Sequence, residues 1–313
     1  MTKRIIIDCD PGQDDAINLF LALAPETDLD IIAITTVAGN TSLEKTQRNA
    51  RLLCELTGRT DIPIYAGCDA PLKLPLATAE EVHGSEGLEG IPIYEPDMPL
   101  QPQNAVDYLI ETLLATKAPL TLVVTGPLTN IAKALEICPK IKEGIKDIII
   151  MGGAMREGGN ITPSAEFNIY VDPHAADIVF NSACELIIFG LDVTHKVLSS
   201  AEVLADMLAL ENPVATACHN LLTHYGRFEE SKFGKNAAPL HDPCTIAYLL
   251  EPELFTLKSC NIRVECSSDL TRGHTAVDYW NGTDLPHNCK WAYIVDRDGF
   301  FEVLLGQLAK YPN

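Results

Sequence analysis

The chain has 313 residues and a mass of 34.1 kDa, with 47% hydrophobic and 21% charged residues, which is ordinary for an enzyme able to bury a large α/β core. A formal charge of −20 argues against a phosphate-rich nucleic-acid partner and against an anionic membrane surface, and fits a neutral or cationic small substrate or a bound metal. No stretch approaches the roughly 18 uninterrupted apolar residues that a transmembrane helix needs.

In chain order, Arg4-Ile5-Ile6-Ile7 is too short for a helix and rich in β-branched residues, so it reads as a buried strand. The acidic run Asp8-Cys9-Asp10-Pro11-Gly12-Gln13-Asp14-Asp15 follows it, and a helical pattern begins at Ala16. Residues 31–37 form a second predicted strand, closed by Ala38-Gly39-Asn40, with a helix from about Ser42. Residues 62–66 read as a short strand. The region 71–103 lacks periodicity, and loops of that length in a compact domain are usually functional. A helix over 105–116 precedes a strand over 120–124 that ends at Thr125-Gly126-Pro127. Strands over 145–151 and 186–191 end at Gly152-Gly153 and Asp192. Residues 197–250 look helical, 256–296 mix strands with loops, and a last helix opens at Gly299. This alternation predicts an open, mainly parallel (mixed) α/β sheet with helices on both faces, Rossmann-like, with the active site at the carboxyl ends of the strands. No linker or repeat divides the chain, so a single domain over residues 1–313 is expected.

Met1-Thr2-Lys3-Arg4 runs straight into the first strand, so no signal peptide is expected. The ten cysteines are scattered, with no CxxC pair and no zinc spacing, and read as small buried apolar residues in a reducing compartment. A cytoplasmic location follows as an expectation.

The polar strand ends carry the chemistry. Asp8, Asp10, Asp14 and Asp15 fall within eight residues. So many carboxylates in one loop repel one another unless a cation sits among them, and a hard divalent ion is the economical choice. The alternative makes Asp14 and Asp15 a helix cap and first-turn acids, with Asp8 facing solvent. Asp10, Asn40, Thr125 and Asp192 each follow a predicted strand, and several such residues at one sheet edge make a site. Asn160, Glu166 and Asn168 lie on a segment full of turn signals; converging amides and a carboxylate suit a polyol, although such asparagines can also satisfy their own backbone. His241-Asp242-Pro243 sets an imidazole beside a carboxylate just before a helix, where Asp242 could be an N-cap and still bind a metal. His83, in the long loop, is a second candidate for contact with a substrate base.

Asp8-Cys9-Asp10-Pro11-Gly12-Gln13-Asp14-Asp15-Ala16, Val37-Ala38-Gly39-Asn40, Val82-His83-Gly84, Thr125-Gly126-Pro127-Leu128-Thr129-Asn130, Met151-Gly152-Gly153, Pro163-Ser164-Ala165-Glu166-Phe167-Asn168, Gly190-Leu191-Asp192-Val193-Thr194 and His241-Asp242-Pro243 together resemble the inosine-uridine-preferring nucleoside hydrolases, in the same order and over nearly the whole chain. The nearest resemblance within that family is to the bacterial pyrimidine-preferring ribonucleoside hydrolases, which commonly carry histidine where this chain has Gln13; that difference is expected to tune activity and not to abolish it. The resemblance implies hydrolysis of the N-glycosidic bond of ribonucleosides, with Ca2+ bound by the carboxylates of Asp10, Asp15 and Asp242 and the main-chain oxygen of Thr125. It further implies Asp10 as general base, Asp14 and Asn40 on the ribose hydroxyls, and Asn160, Glu166 and Asn168 toward the 3′ and 5′ side. His241 would assist the departing base, with His83 near the same end, and the family is commonly a homotetramer, sometimes a dimer.

The base end also offers the segment carrying Tyr225 and Arg227, groups that hydrogen-bond a small ring. Trp280 and Trp291 lie in the late β-rich stretch, away from it, which favours uridine and cytidine over purine nucleosides; a broad-specificity enzyme is the alternative. Two other classes compete. Asp8-Cys9-Asp10 after a first strand imitates the nucleophile motif of haloacid-dehalogenase-like phosphatases, but no late Gly-Asp-x-x-x-Asp run accompanies it. A non-enzymatic ribose binder would share the amide–carboxylate loop, yet two similar lobes and an export signal are not expected here.

Overall fold

The computed structural model describes residues 2–234 and 237–313. An eight-stranded sheet runs in the order β3-β2-β1-β4-β5-β6-β10-β7. Its strands are β1 (Lys3–Cys9), β2 (Leu29–Thr36), β3 (Ile64–Ala66), β4 (Leu120–Val124), β5 (Ile145–Met151), β6 (Leu186–Phe189), β7 (Phe255–Cys260) and β10 (Cys289–Val295). All neighbours pair in parallel except β7, which is antiparallel to β10. The strands β8 (Ile262–Val264) and β9 (Thr275–Val277) form a separate antiparallel pair.

Strands buried on both faces carry consecutive apolar residues, as Ile5 to Ile7 in β1, Leu122 to Val124 in β4 and Ile148 to Met151 in β5 show. Ile5, Ile7, Cys9, Val123 and Ile149 enter one core; Ile6, Leu122, Val124, Ile148 and Ile150 enter the other. The period-two alternation thus divides the interior into two layers. The helices Gln13–Leu23, Pro213–Phe233, Pro243–Leu250 and Arg297–Leu308 cover the first. Ala105–Ala115, Thr129–Ile137 and Pro173–Phe180 cover the second.

From β1 the chain moves outward through β2 to β3, then returns beside β1 with β4 and continues to β6. The direction of winding therefore reverses between β1 and β4, and the crevice beyond their carboxyl ends is where open sheets of this kind hold ligands. Asp10 and Thr125 stand on its two sides.

The predicted strands over 120–124 and 145–151 match β4 and β5 end to end. The strand expected over 186–191 stops at Phe189. Gly190 opens one helical turn, Leu191–Thr194, whose Leu191 N–H donates to Gly153 O at 2.9 Å. The aperiodic region 71–103 contains a short helix, Glu80–His83. Seven of the ten cysteines are buried and all are free thiols; Cys260 and Cys289, opposite each other on β7 and β10, have their sulfurs 3.8 Å apart.

Candidate active site

Asp10 leaves β1 fully buried between two loops. Its Oδ2 accepts from Asn40 N–H at 2.7 Å, its carbonyl accepts from Asn40 Nδ2 at 3.1 Å, and its Oδ1 has no hydrogen-bond partner. Close glycines make this possible: a Cβ on Gly39 would collide with Asp10 Oδ2, and one on Gly126 would come within 2.6 Å of Oδ1. The helix Gln13–Leu23 then presents Asp14 and Asp15 in its first turn. Asp15 Oδ1 accepts from Thr125 Oγ1 at 2.8 Å, and Oδ2 accepts from Gly12 N–H at 3.0 Å and Asn40 Nδ2 at 3.1 Å. Asp242, at the start of Pro243–Leu250, closes the cluster. Oxygens of Asp14, Asp15 and Asp242 all lie within 4.8 Å of one another.

Four buried carboxylates repel. Burial, then Asp15, pushes Asp14 up to about 8; burial pushes Asp15 up to about 6. Burial, then a neighbouring carboxylate, holds Asp10 and Asp242 well above the ordinary range. Carboxylates held this close, within 4.8 Å, take up protons to relieve their repulsion. A proton in that place does what a cation would do better. The donor set is all oxygen, and one Asp10 oxygen is unpartnered; both features fit a hard divalent ion. The carbonyl of Thr125 accepts from Asn168 Nδ2 at 2.7 Å and keeps a second lone pair.

Above the acids lies a cavity of about 290 Å³. Asp14, Asn40, Thr125, Asn168, His241 and Asp242 line its inner part. Asn160, exposed, and Ile161 stand at its mouth, with Phe167, Tyr225, Phe228 and Glu229 along the wall. Much of the polar lining is also structural. Glu166 caps the helix Phe167–Val171, accepting from Asn168 N–H at 2.9 Å, Ile169 N–H at 3.3 Å and Gly153 N–H at 2.9 Å. Asn160 Oδ1 accepts from Phe167 N–H at 2.9 Å.

Two buried histidines share one end. His83 Nδ1 accepts from Gln13 N–H at 3.2 Å, its ring stacks on Tyr225 with centroids 5.7 Å apart, and burial lowers its pKa to about 4. His241 Nδ1 meets Thr194 Oγ1 at 2.7 Å. Burial first, then His195, Lys232 and His83, holds His241 well below the usual histidine value, so a neutral imidazole faces the cavity.

The structure thus gathers Asp10, Asp14, Asp15, Asn40, His83, Thr125, Asn160, Glu166, Asn168, Tyr225, His241 and Asp242 in one place. Arg227 is not brought in; it is exposed and does not line the cavity. Residues three and four apart share a helix face, so Phe228 and Glu229 accompany Tyr225 while Arg227, two positions on, turns away. That spacing was the signal by which Phe228 and Glu229 could have been found. Asp192 is likewise absent from the lining; it accepts from Met155 N–H at 2.7 Å and Arg156 N–H at 2.8 Å, holding a loop. Gln13 donates to Glu89 O at 2.7 Å and sits 3.0 Å from His224 Nδ1, tying the long loop to the helix that carries the acids. A larger depression of about 770 Å³ lies elsewhere, at the amino ends of β6 and β10 among Glu185, Lys290 and Arg263, with none of these groups.

Fold and site together are those of an α/β enzyme whose cavity lies over a buried acidic cluster. The chain belongs to the inosine-uridine preferring nucleoside hydrolases, whose family model matches residues 5–302, and it hydrolyses the N-glycosidic bond of ribonucleosides. It is similar to a pyrimidine-specific ribonucleoside hydrolase RihA of Photobacterium profundum, 47% identical over 99% of this chain and all of that one. Among solved structures it resembles a plant nucleoside hydrolase with a TM-score of 0.92 at 33% identity, covering 99% of both chains. A purine-preferring ribonucleoside hydrolase from Gardnerella vaginalis gives 0.90 at 30% identity, covering 98% of both. No helix among the described residues is long and apolar enough to cross a membrane.

Proposed function

We propose that the protein hydrolyses pyrimidine ribonucleosides, uridine and cytidine ahead of inosine and adenosine, to ribose and free base, in nucleoside salvage. The observation that carries the chemistry is the buried cluster of Asp10, Asp14, Asp15 and Asp242 below a cavity whose other end holds two buried histidines. Calcium is the ion proposed, held by Asp10, Asp15, Asp242 and the main-chain oxygen of Thr125. Such an ion, when bound, acidifies water and binds diol oxygens.

The residues divide the remaining work. Asp10 takes a proton from the attacking water; general-base assistance of this kind contributes about 10²–10⁴-fold. Asp14 and Asn40 hold the ribose hydroxyls. Asn160, Glu166 and Asn168 face the 3′ and 5′ side with the lone pairs and amide protons that their structural bonds leave free. Cleavage builds positive charge on the sugar ring, which the neighbouring carboxylates stabilise. His241 meets the departing base, and His83 and Tyr225 stand at the same end.

The base preference rests on what the wall lacks. Trp291 is wholly buried in the core, Trp280 is 76% exposed, and neither lines the cavity. An indole platform for a purine is therefore missing. A broad-specificity enzyme is the second reading, because a purine-preferring hydrolase shares the fold nearly as well as the plant enzyme does. A phosphatase is not supported: no lysine or arginine lines the cavity among the described residues, and phosphoryl transfer relies on such cations. Ten free thiols support a reducing, cytoplasmic setting, and a homo-oligomer, tetramer or dimer, formed from single-domain chains is part of the same reading. Values of kcat/KM for the four nucleosides test it. Uridine and cytidine should lead, and inosine equal to or above uridine would defeat the pyrimidine preference alone.

A further inference from the structure

His241 can serve the departing base only if one ring nitrogen points at it and stays there. A histidine on a short loop before a helix has two soft torsions, and a half-turn of the ring puts carbons where its nitrogens stood. Something must hold it. Among the described residues, the ring makes one hydrogen bond: Nδ1 lies 2.7 Å from Thr194 Oγ1. Thr194 is wholly buried and His241 is 6% exposed, so water does not compete for the contact. Thr194 ends the single helical turn Leu191–Thr194, and its own N–H donates to Gly190 O at 3.2 Å. The hydroxyl is therefore mounted on rigid backbone at the carboxyl end of β6. His195 adds a wall, its ring 5.6 Å from that of His241 at 59°, and Glu157 Oε2 anchors it at 3.2 Å from His195 Nδ1.

With Nδ1 turned to Thr194, the nitrogen left for the cavity is Nε2. We propose that Thr194 is the positioning residue of the leaving-group histidine: its hydroxyl donates to Nδ1 of His241, fixes the ring, and keeps the imidazole proton on Nε2, aimed at the base. The second ring nitrogen of a functional histidine is set by just such a bond. This rests on the reading of His241 as the group that assists the departing base. Thr194 is wholly buried and does not line the cavity, so it acts through His241.

The test compares uridine, whose base needs assistance, with 4-nitrophenyl riboside, whose leaving group is a stable anion. Thr194→Val keeps the branched shape and removes the hydroxyl. It should lower kcat on uridine by about 100-fold, the scale of a mispositioned catalytic group, with KM changed less than about threefold and 4-nitrophenyl riboside turned over within about threefold of the parent. Thr194→Ser restores the hydroxyl and should recover most of the uridine rate. If Thr194→Val does not fold, Thr194→Ala against Thr194→Ser carries the same comparison. His241→Ala, run in parallel, separates the two claims. Equal losses on both substrates in His241→Ala would remove the leaving-group role itself. Selective loss in His241→Ala with no loss, or an unselective loss, in the Thr194 variants would overturn the positioning role alone.

Discussion

Asp14 carries two roles that a single carboxylate can combine. Its oxygens lie within the set shared with Asp15 and Asp242, and it also lines the cavity beside Asn40. Both groups are buried and can pair with a substrate hydroxyl, so removing the 2′-hydroxyl leaves them facing nothing. A site built to hydrogen-bond a hydroxyl rejects the analogue without it by about 10⁴-fold. Deoxyuridine should accordingly fall near that factor below uridine in kcat/KM; rates within tenfold of each other would mean that Asp14 and Asn40 do not hold the sugar. The acids were legible as residues because their types, crowded at a strand end, admit few uses. Arg227 was misread because its neighbours in sequence, and not its neighbours on the helix, suggested the face. Thr194 was legible only as the last residue of the motif that begins at Gly190: a threonine there declares its partner only when the fold brings His241 across.

At the scale of elements, the site is made by two loops that come closer than side chains allow. The backbone of Gly39, in the loop after β2, and that of Gly126, after β4, leave room for Asp10 between them. Gly39→Ala should push the Asp10 carboxylate out of line while leaving the strands intact, because both φ/ψ freedom and strand pairing are untouched at that loop. Displacement by an ångström costs about 100-fold in turnover, and the metal content per chain should fall with it. Elemental analysis together with uridine turnover is the check; full metal content and parental turnover would show that Asp10 moves aside without consequence. The strands β4 and β5 were readable because each is dominated by apolar, largely β-branched residues and bounded by glycine or proline. The antiparallel pairing of β7 with β10, and the short helix Glu80–His83 inside the long loop, were not. The first depends on which sheet edge is free, and the second is tied down by distant groups, as in the Gln13 N–H bond to His83.

For the whole molecule, the acidic cluster makes stability a function of both metal and pH. Asp14 titrates near 8 and Asp15 near 6 in the metal-free fold, raised first by burial, against about 4 in an unfolded chain. Groups raised in this direction contribute stability that is complete below the unfolded value and is lost as pH climbs through the folded one. Metal-free protein should therefore weaken progressively between about pH 4 and about pH 8. His83, lowered to about 4 by burial, works the other way and costs stability as pH falls below its unfolded value near 6.5. That contribution is common to metal-free and metal-loaded protein, so the difference between the two cancels it. A cation needs the carboxylates deprotonated, and protons displace it as pH drops. The rise in Tm between protein in chelator and protein in excess calcium should thus be small at pH 5 and several degrees larger at pH 8.5. Thermal denaturation at the two pH values decides, and an equal rise at both, or a larger one at pH 5, would show that the buried carboxylates are not the groups that hold the ion.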